Sequence, residues 1–189
     1  MINRLPGSEL LTLEPLIESV QVGIEETGWS MSGLQKTTST EFDGAWEGES
    51  TRSAYLFFHR SDLPEEVSVE GFLDETSDGL RGNLSLVVDG PGLSEAGDVR
   101  TLLRAVSDAA LETLPPGPAT PITLRMSLRT PATPPDEARL QIRFKVTVPQ
   151  PAIRAGGDGV AALAAAAVAA FERLLERPEV ASLLPPVMD

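Results

Sequence analysis

Thirteen consecutive residues, Gly159 to Phe171, carry no charge and no polar side chain, and eight of them are alanine. Few folded environments accept such a run. It is too short to span a bilayer, which takes about 20 apolar residues. The glycines before it, in GGDG at 156–159, invite a phosphate-loop reading, because a helix N-terminus favours anions. That reading fails on spacing: there is neither a G-x-G-x-x-G nor a following Lys-Ser/Thr. Asp158 would also repel a phosphate, and its expected role is the N-cap of the helix. Val160, Leu163, Ala164, Ala167, Phe171 and Leu174 form one stripe, expected to face a sheet. Ala161, Ala165, Val168 and Leu175 form a second. A helix apolar on every side is a buried one. Something must therefore cover the second stripe: the first helix of the chain, a second copy, or a client protein.

The rest of the chain supplies a sheet for that helix to lie on. Leu13, Leu16, Ile17, Val20 and Ile24 recur at helical spacing, so a first helix is expected over 13–27, stopped by Gly28. Residues 29–47 read as one or two strands, and 51–60, 67–75 and 80–88 as further strands. Ser77-Asp78-Gly79 supplies a hairpin turn between the last two. A second helix is expected from an N-cap near Ser94, with Val99, Leu102, Leu103, Val106, Ala110 and Leu114 as its apolar stripe. ITLRMSLRT and ARLQIRFKVTV then alternate strictly and form a hairpin. PQPAIRAGGDG connects it to the Ala-rich helix, and Pro178 can open a short last turn.

The expected class is α+β: an antiparallel sheet of about six or seven strands with helices on one face, in the order α-β(4–5)-α-ββ-α. A single domain over 1–189 suits the length. Its parts are the 13–27 helix, a 29–114 stretch of strands plus helix, and a 120–189 stretch of hairpin, Ala-rich helix and tail. Residues 67–114 and 122–177 share a strand–strand–helix order, which suggests a duplicated ββα unit.

Charge and composition narrow the function. The net charge of −13 disfavours nucleic acid and anionic membrane as partners. Residues 1–98 hold 19 acids and 5 bases, whereas 99–189 hold 9 and 10, an asymmetry that can mark a partner surface. With no cysteine, thiolate nucleophiles, zinc–thiolate sites and iron–sulfur clusters are excluded, and a reducing, cytoplasmic setting is expected. The start, MINRLPGSELLTLEP, has no secretory h-region. No sequence motif calls for a cofactor or a metal.

Candidate residues are few. His59 is the only histidine and the obvious general base at neutral pH, but no G-x-S-x-G elbow accompanies it. DETSDG at 74–79 resembles the start of a calcium loop, yet Ser85 stands where a bidentate glutamate belongs, and a hairpin turn explains the segment better. Arg125, Arg129, Arg139, Arg143 and Lys145 all fall on the polar side of the alternating hairpin. Like charges crowded across strands are costly unless neutralised. Either the acidic row Glu66, Glu70 and Asp74 lies beside them, or an acidic partner does. Trp29 and Trp46, the only tryptophans, are either core or anchors of an interface.

In element order the chain is similar to secretion-chaperone-like domains, with one or two extra strands. That likeness is one of order alone and implies an acidic, dimeric binding protein. The expected function is a non-catalytic, chaperone- or adaptor-like interaction module that binds another protein or itself. The alternative is a small-ligand-binding protein or hydrolase with a pocket between sheet and helices near His59, using acids such as Asp62, Glu70 or Asp74.

Overall fold

A computed structural model describes residues 11–39, 51–91, 99–114, 123–128 and 139–184. It is α+β with an antiparallel sheet, as the alternation of apolar residues implied. In chain order the elements are α1 (Leu13–Glu25), β1 (Ser30–Ser39), β2 (Thr51–His59), β3 (Val67–Thr76), β4 (Gly79–Pro91) and α2 (Val99–Thr113). There follow β5 (Thr123–Leu128), β6 (Arg139–Thr147), α3 (Gln150–Arg154), α4 (Gly157–Leu175) and α5 (Pro178–Ala181). The strands form one sheet in the order β1-β2-β3-β4-β6-β5, every neighbouring pair antiparallel.

Period-two alternation decides which face is buried. Ala54, Leu56 and Phe58 of β2, Val67, Val69 and Leu73 of β3, Leu84, Leu86 and Val88 of β4, and Ile142, Phe144 and Val146 of β6 are all buried. They share one hydrophobic core with the inner faces of α1 and α4. Between β3 and β4 the two-residue turn Ser77-Asp78 leads into Gly79, whose φ of +115° suits glycine.

The Ala-rich helix α4 is held as its composition requires. Val160, Ala164, Ala167, Val168, Ala170, Phe171, Leu174 and Leu175 are buried, while Leu163, Ala161 and Ala165 are half-buried. Its second apolar side is covered by α1 of the same chain. The helices come so close that a Cβ added to Gly23 would fall 2.2 Å from the carbonyl oxygen of Ala161. Small residues at the crossing permit that approach, because the separation of packed helices follows their contact side chains.

Four local expectations change. Helix α1 ends at Glu25, not residue 27, because Thr27 and Gly28 donate to the carbonyls of Ile24 and Glu25 and tighten the last turn. Asp158 does not cap α4: the N-cap is Gly156, at φ +89°, and Asp158 is an exposed residue of the first turn. There its carboxylate still favours the helix dipole. The connection before α4 contains α3, anchored by buried Ile153. Leu103 leaves the apolar stripe of α2: it is 38% exposed, because the buried side is centred on Val106, Ala109, Ala110 and Leu114. That side meets α4 and α5. Ser94 lies outside the described residues.

Candidate functional site

Among the described residues, strand β1 lies at one end of the sheet and is hydrogen-bonded to β2 alone. Ser32 and all of Leu34 to Thr38 are exposed, so side chains on both faces of the strand meet solvent. Leu34 is 44% exposed although its register partner Leu56 is fully buried. Edge strands are commonly shortened, charged or broken by proline, because their free N–H and C=O groups template further pairing. β1 runs ten residues, SMSGLQKTTS, without proline and with Lys36 as its one charge. Its sole irregularity is a bulge between Met31 and Gly33, which re-aims a strand locally. Gly33 leaves the outer face open beside Phe57, whose ring carbon lies 3.4 Å from where a Cβ would stand.

The start of β1 opens into a groove of about 690 Å³, lined among others by Ser30, Met31, Ser32, His59, Leu63 and Glu65. His59 ends β2 opposite Ser30 and is exposed. Among the described residues it makes no hydrogen bond or ion pair that would orient it as a base. Asp62 is committed elsewhere: it accepts from Arg60 Nε at 2.6 Å, which draws its pKa below the ordinary aspartate value. The guanidinium of Arg60 is correspondingly harder to deprotonate, through the hydrogen bond it donates to Asp62 first and the charges of Asp62 and Glu172 after it.

Beneath the groove, Arg60 joins the sheet to α4. It pairs with Glu172 as well as Asp62, and its guanidinium lies 5.7 Å from the ring centre of Trp29. Trp29 is 1% exposed and donates its indole N–H to Glu172 at 3.0 Å. Of the two readings of Trp29, core and interface anchor, its burial is that of a core residue. Glu172 is the first charge after the thirteen-residue apolar run. Sequence reasoning did not single it out, nor Arg60, because their contact is 112 residues long.

On the outer face of the sheet, Arg143 donates to Glu70 at 2.6 Å across β4. Ser85, opposite both Glu70 and Lys145, is 1% exposed and small enough for that span. Asp74 instead takes Arg81 at 2.8 Å and the Ser53 hydroxyl at 2.9 Å. Lys145 is half-buried in the same row, and Arg125 stands opposite Arg143 in the backbone register. Arg139 opens β6 opposite Pro91, while Arg129 and Trp46 lie outside the described residues. The same face carries an aromatic pair, Tyr55 and Phe72, with ring centres 4.9 Å apart, which sequence reasoning also did not select.

Among the described residues no cluster of three metal-ligating side chains occurs, and no helix is long and apolar enough to cross a membrane. No family model, curated protein or solved structure matches the chain.

Proposed function

We propose that the protein is a non-catalytic, acidic interaction module, chaperone- or adaptor-like, that holds an extended segment of another protein against β1. One observation carries this reading: a ten-residue edge strand, exposed on both faces and nearly uncharged, in a chain of net charge −13. Strand addition obtains affinity from main-chain hydrogen bonds and selectivity from alternate side chains. The positions on offer are Leu34 on the helix side and the gap at Gly33 beside Phe57 on the other. A bound segment would place an apolar residue over each, in succession, and an acidic one near Lys36. Its end would run into the groove at His59.

The hydrolase and small-ligand alternative has the groove in its favour, but among the described residues His59 makes no hydrogen bond to an acid, and Asp62 is paired with Arg60. The reading therefore assigns no catalytic residue, cofactor or metal. The cysteine-free composition suits a cytoplasmic setting.

Selection of random linear peptides on the immobilised chain tests the proposal. Selected peptides should alternate in polarity and lose at least tenfold in affinity to Leu34→Lys, which blunts the edge with a charge. Peptides that bind Leu34→Lys as well as wild type would overturn it.

A further inference from the structure

The two halves of β1 differ in charge. Lys36, exposed, is the one charge of the strand. The groove at the strand's start is acidic. Glu65 lines it, is exposed, and makes no hydrogen bond or ion pair among the described residues. The side chain of Asp62 is 64% exposed and gives one carboxylate oxygen to Arg60. Arg60, the one guanidinium lining the groove, lies against Trp29 and is held between Asp62 and Glu172. Three carboxylates thus stand against one guanidinium. Negative charge stays in excess there even with His59 counted as a cation.

Every pair of neighbouring strands in the sheet is antiparallel, and antiparallel pairing is slightly the more stable per residue. A segment that continues the sheet beyond β1 therefore runs from the Ser39 end toward Ser30. Resting on β1 as the binding edge, we infer that this segment is an extended peptide with a fixed charge order. An acidic residue stands opposite Lys36, and a basic residue follows it five positions later, in the groove with Glu65. The count comes from the register. β2 spans the bulge by setting Ala54, Leu56, Phe57, Phe58 and His59 opposite Lys36, Leu34, Gly33, Met31 and Ser30. A segment that spans it likewise on the free edge meets Lys36 with its first residue, Leu34 with its third, Gly33 with its fourth and Ser30 with its sixth. The third and fourth are the apolar pair. Alternation puts the first and third on the helix side, and the fourth and sixth on the outer side with Phe57 and His59. Five steps of about 3.3 Å set the two charges roughly 17 Å apart. That exceeds the screening length of about 10 Å in 0.1 M salt, so each charge is selected by its own half of the site.

Two labelled, end-blocked octapeptides of one composition test the order. In the first, a glutamate comes two residues before an adjoining valine–leucine pair and a lysine two residues after it. In the second, the two charges are exchanged. Fluorescence anisotropy at low salt should find the first bound about fivefold more tightly, because two contacts on the scale of exposed ion pairs turn from attractive to repulsive. In about 1 M salt, where charges are screened within about 3 Å, the two affinities should converge. Lys36→Glu combined with Glu65→Lys, both at exposed positions, should prefer the second peptide. Leu34→Lys should weaken both. Equal affinities at low salt, each still lost with Leu34→Lys, would overturn the charge order and leave β1 as the binding edge. A preference unchanged in the double variant would also overturn the charge order. Binding of both peptides that ignores Leu34→Lys, or binding of neither, would overturn β1 as the edge and the charge order with it.

Discussion

Gly23→Ala tests how the Ala-rich helix is held. An alanine Cβ at 23 would lie 2.2 Å from the Ala161 carbonyl oxygen, 2.8 Å from its carbon and 2.9 Å from its Cα. All three are backbone atoms, so no rotamer change relieves the overlap. The helices would have to separate by roughly 1 Å or more, and gaps of that size forfeit a quarter to a half of each dispersion contact along the crossing. Overpacking of a close-packed core costs about 1–3 kcal/mol, and a backbone collision belongs at the upper end. Against this, alanine is better than glycine inside a helix by about 1 kcal/mol. The net expectation is a loss of about 2 kcal/mol, a fall of about 4–8 °C in Tm for a chain this size. Thermal unfolding followed by circular dichroism reads it. Ala161→Gly should not rescue the variant, because the clash is with main chain. A Tm that stays level or rises would refute the reasoning, since that is the response of a glycine on a solvated helix face.

Other predictions concern the charged contacts. Glu172→Gln keeps an acceptor for the Trp29 indole but removes the charge facing Arg60, whereas Glu172→Ala leaves a buried N–H without its partner. Urea titration should find the alanine variant about 1–3 kcal/mol less stable than wild type and the glutamine variant between them. Asp62 has its pKa lowered by Arg60. Its contribution is thus present above the unfolded-state pKa and is lost as pH falls through the lower folded value. Asp62→Asn should therefore be slightly less stable than wild type at neutral pH, and the difference should vanish in acid unfolding curves as pH falls through the folded-state pKa of Asp62. For Glu70 and Arg143, a double-mutant cycle should give a coupling of about 0.5–1 kcal/mol, near the top of the range for surface pairs because both side chains are mostly covered.

Local patterns were legible where local physics decides. The hairpin of β5 and β6 followed from strict alternation, the β3–β4 turn from Asp-Gly, and the burial of α4 from thirteen residues that offer water nothing. Leu103 shows where periodicity stops being enough. It lies on the helical stripe, but the direction of α4 and α5 decides which edge of the stripe is covered. Asp158 was misplaced because Gly156, able to take φ +89°, starts the helix two residues earlier. The edge position of β1 is a property of strand order, which no local pattern encodes. Arg60–Glu172 and Glu70–Arg143 join residues far apart in the chain. The second pair could be anticipated only as an acidic row of matching period, and the first had no signal beyond a lone charge ending an apolar run.

Hydrogen exchange on the chain with and without a selected peptide asks most directly whether β1 is the binding surface. Saturating peptide should slow exchange of amides between Ser30 and Ser39, which among the described residues are paired on one side only, while α2 and β6 stay unchanged. Protection confined to α2 or to the β6 face, with β1 exchanging as before, would contradict the account.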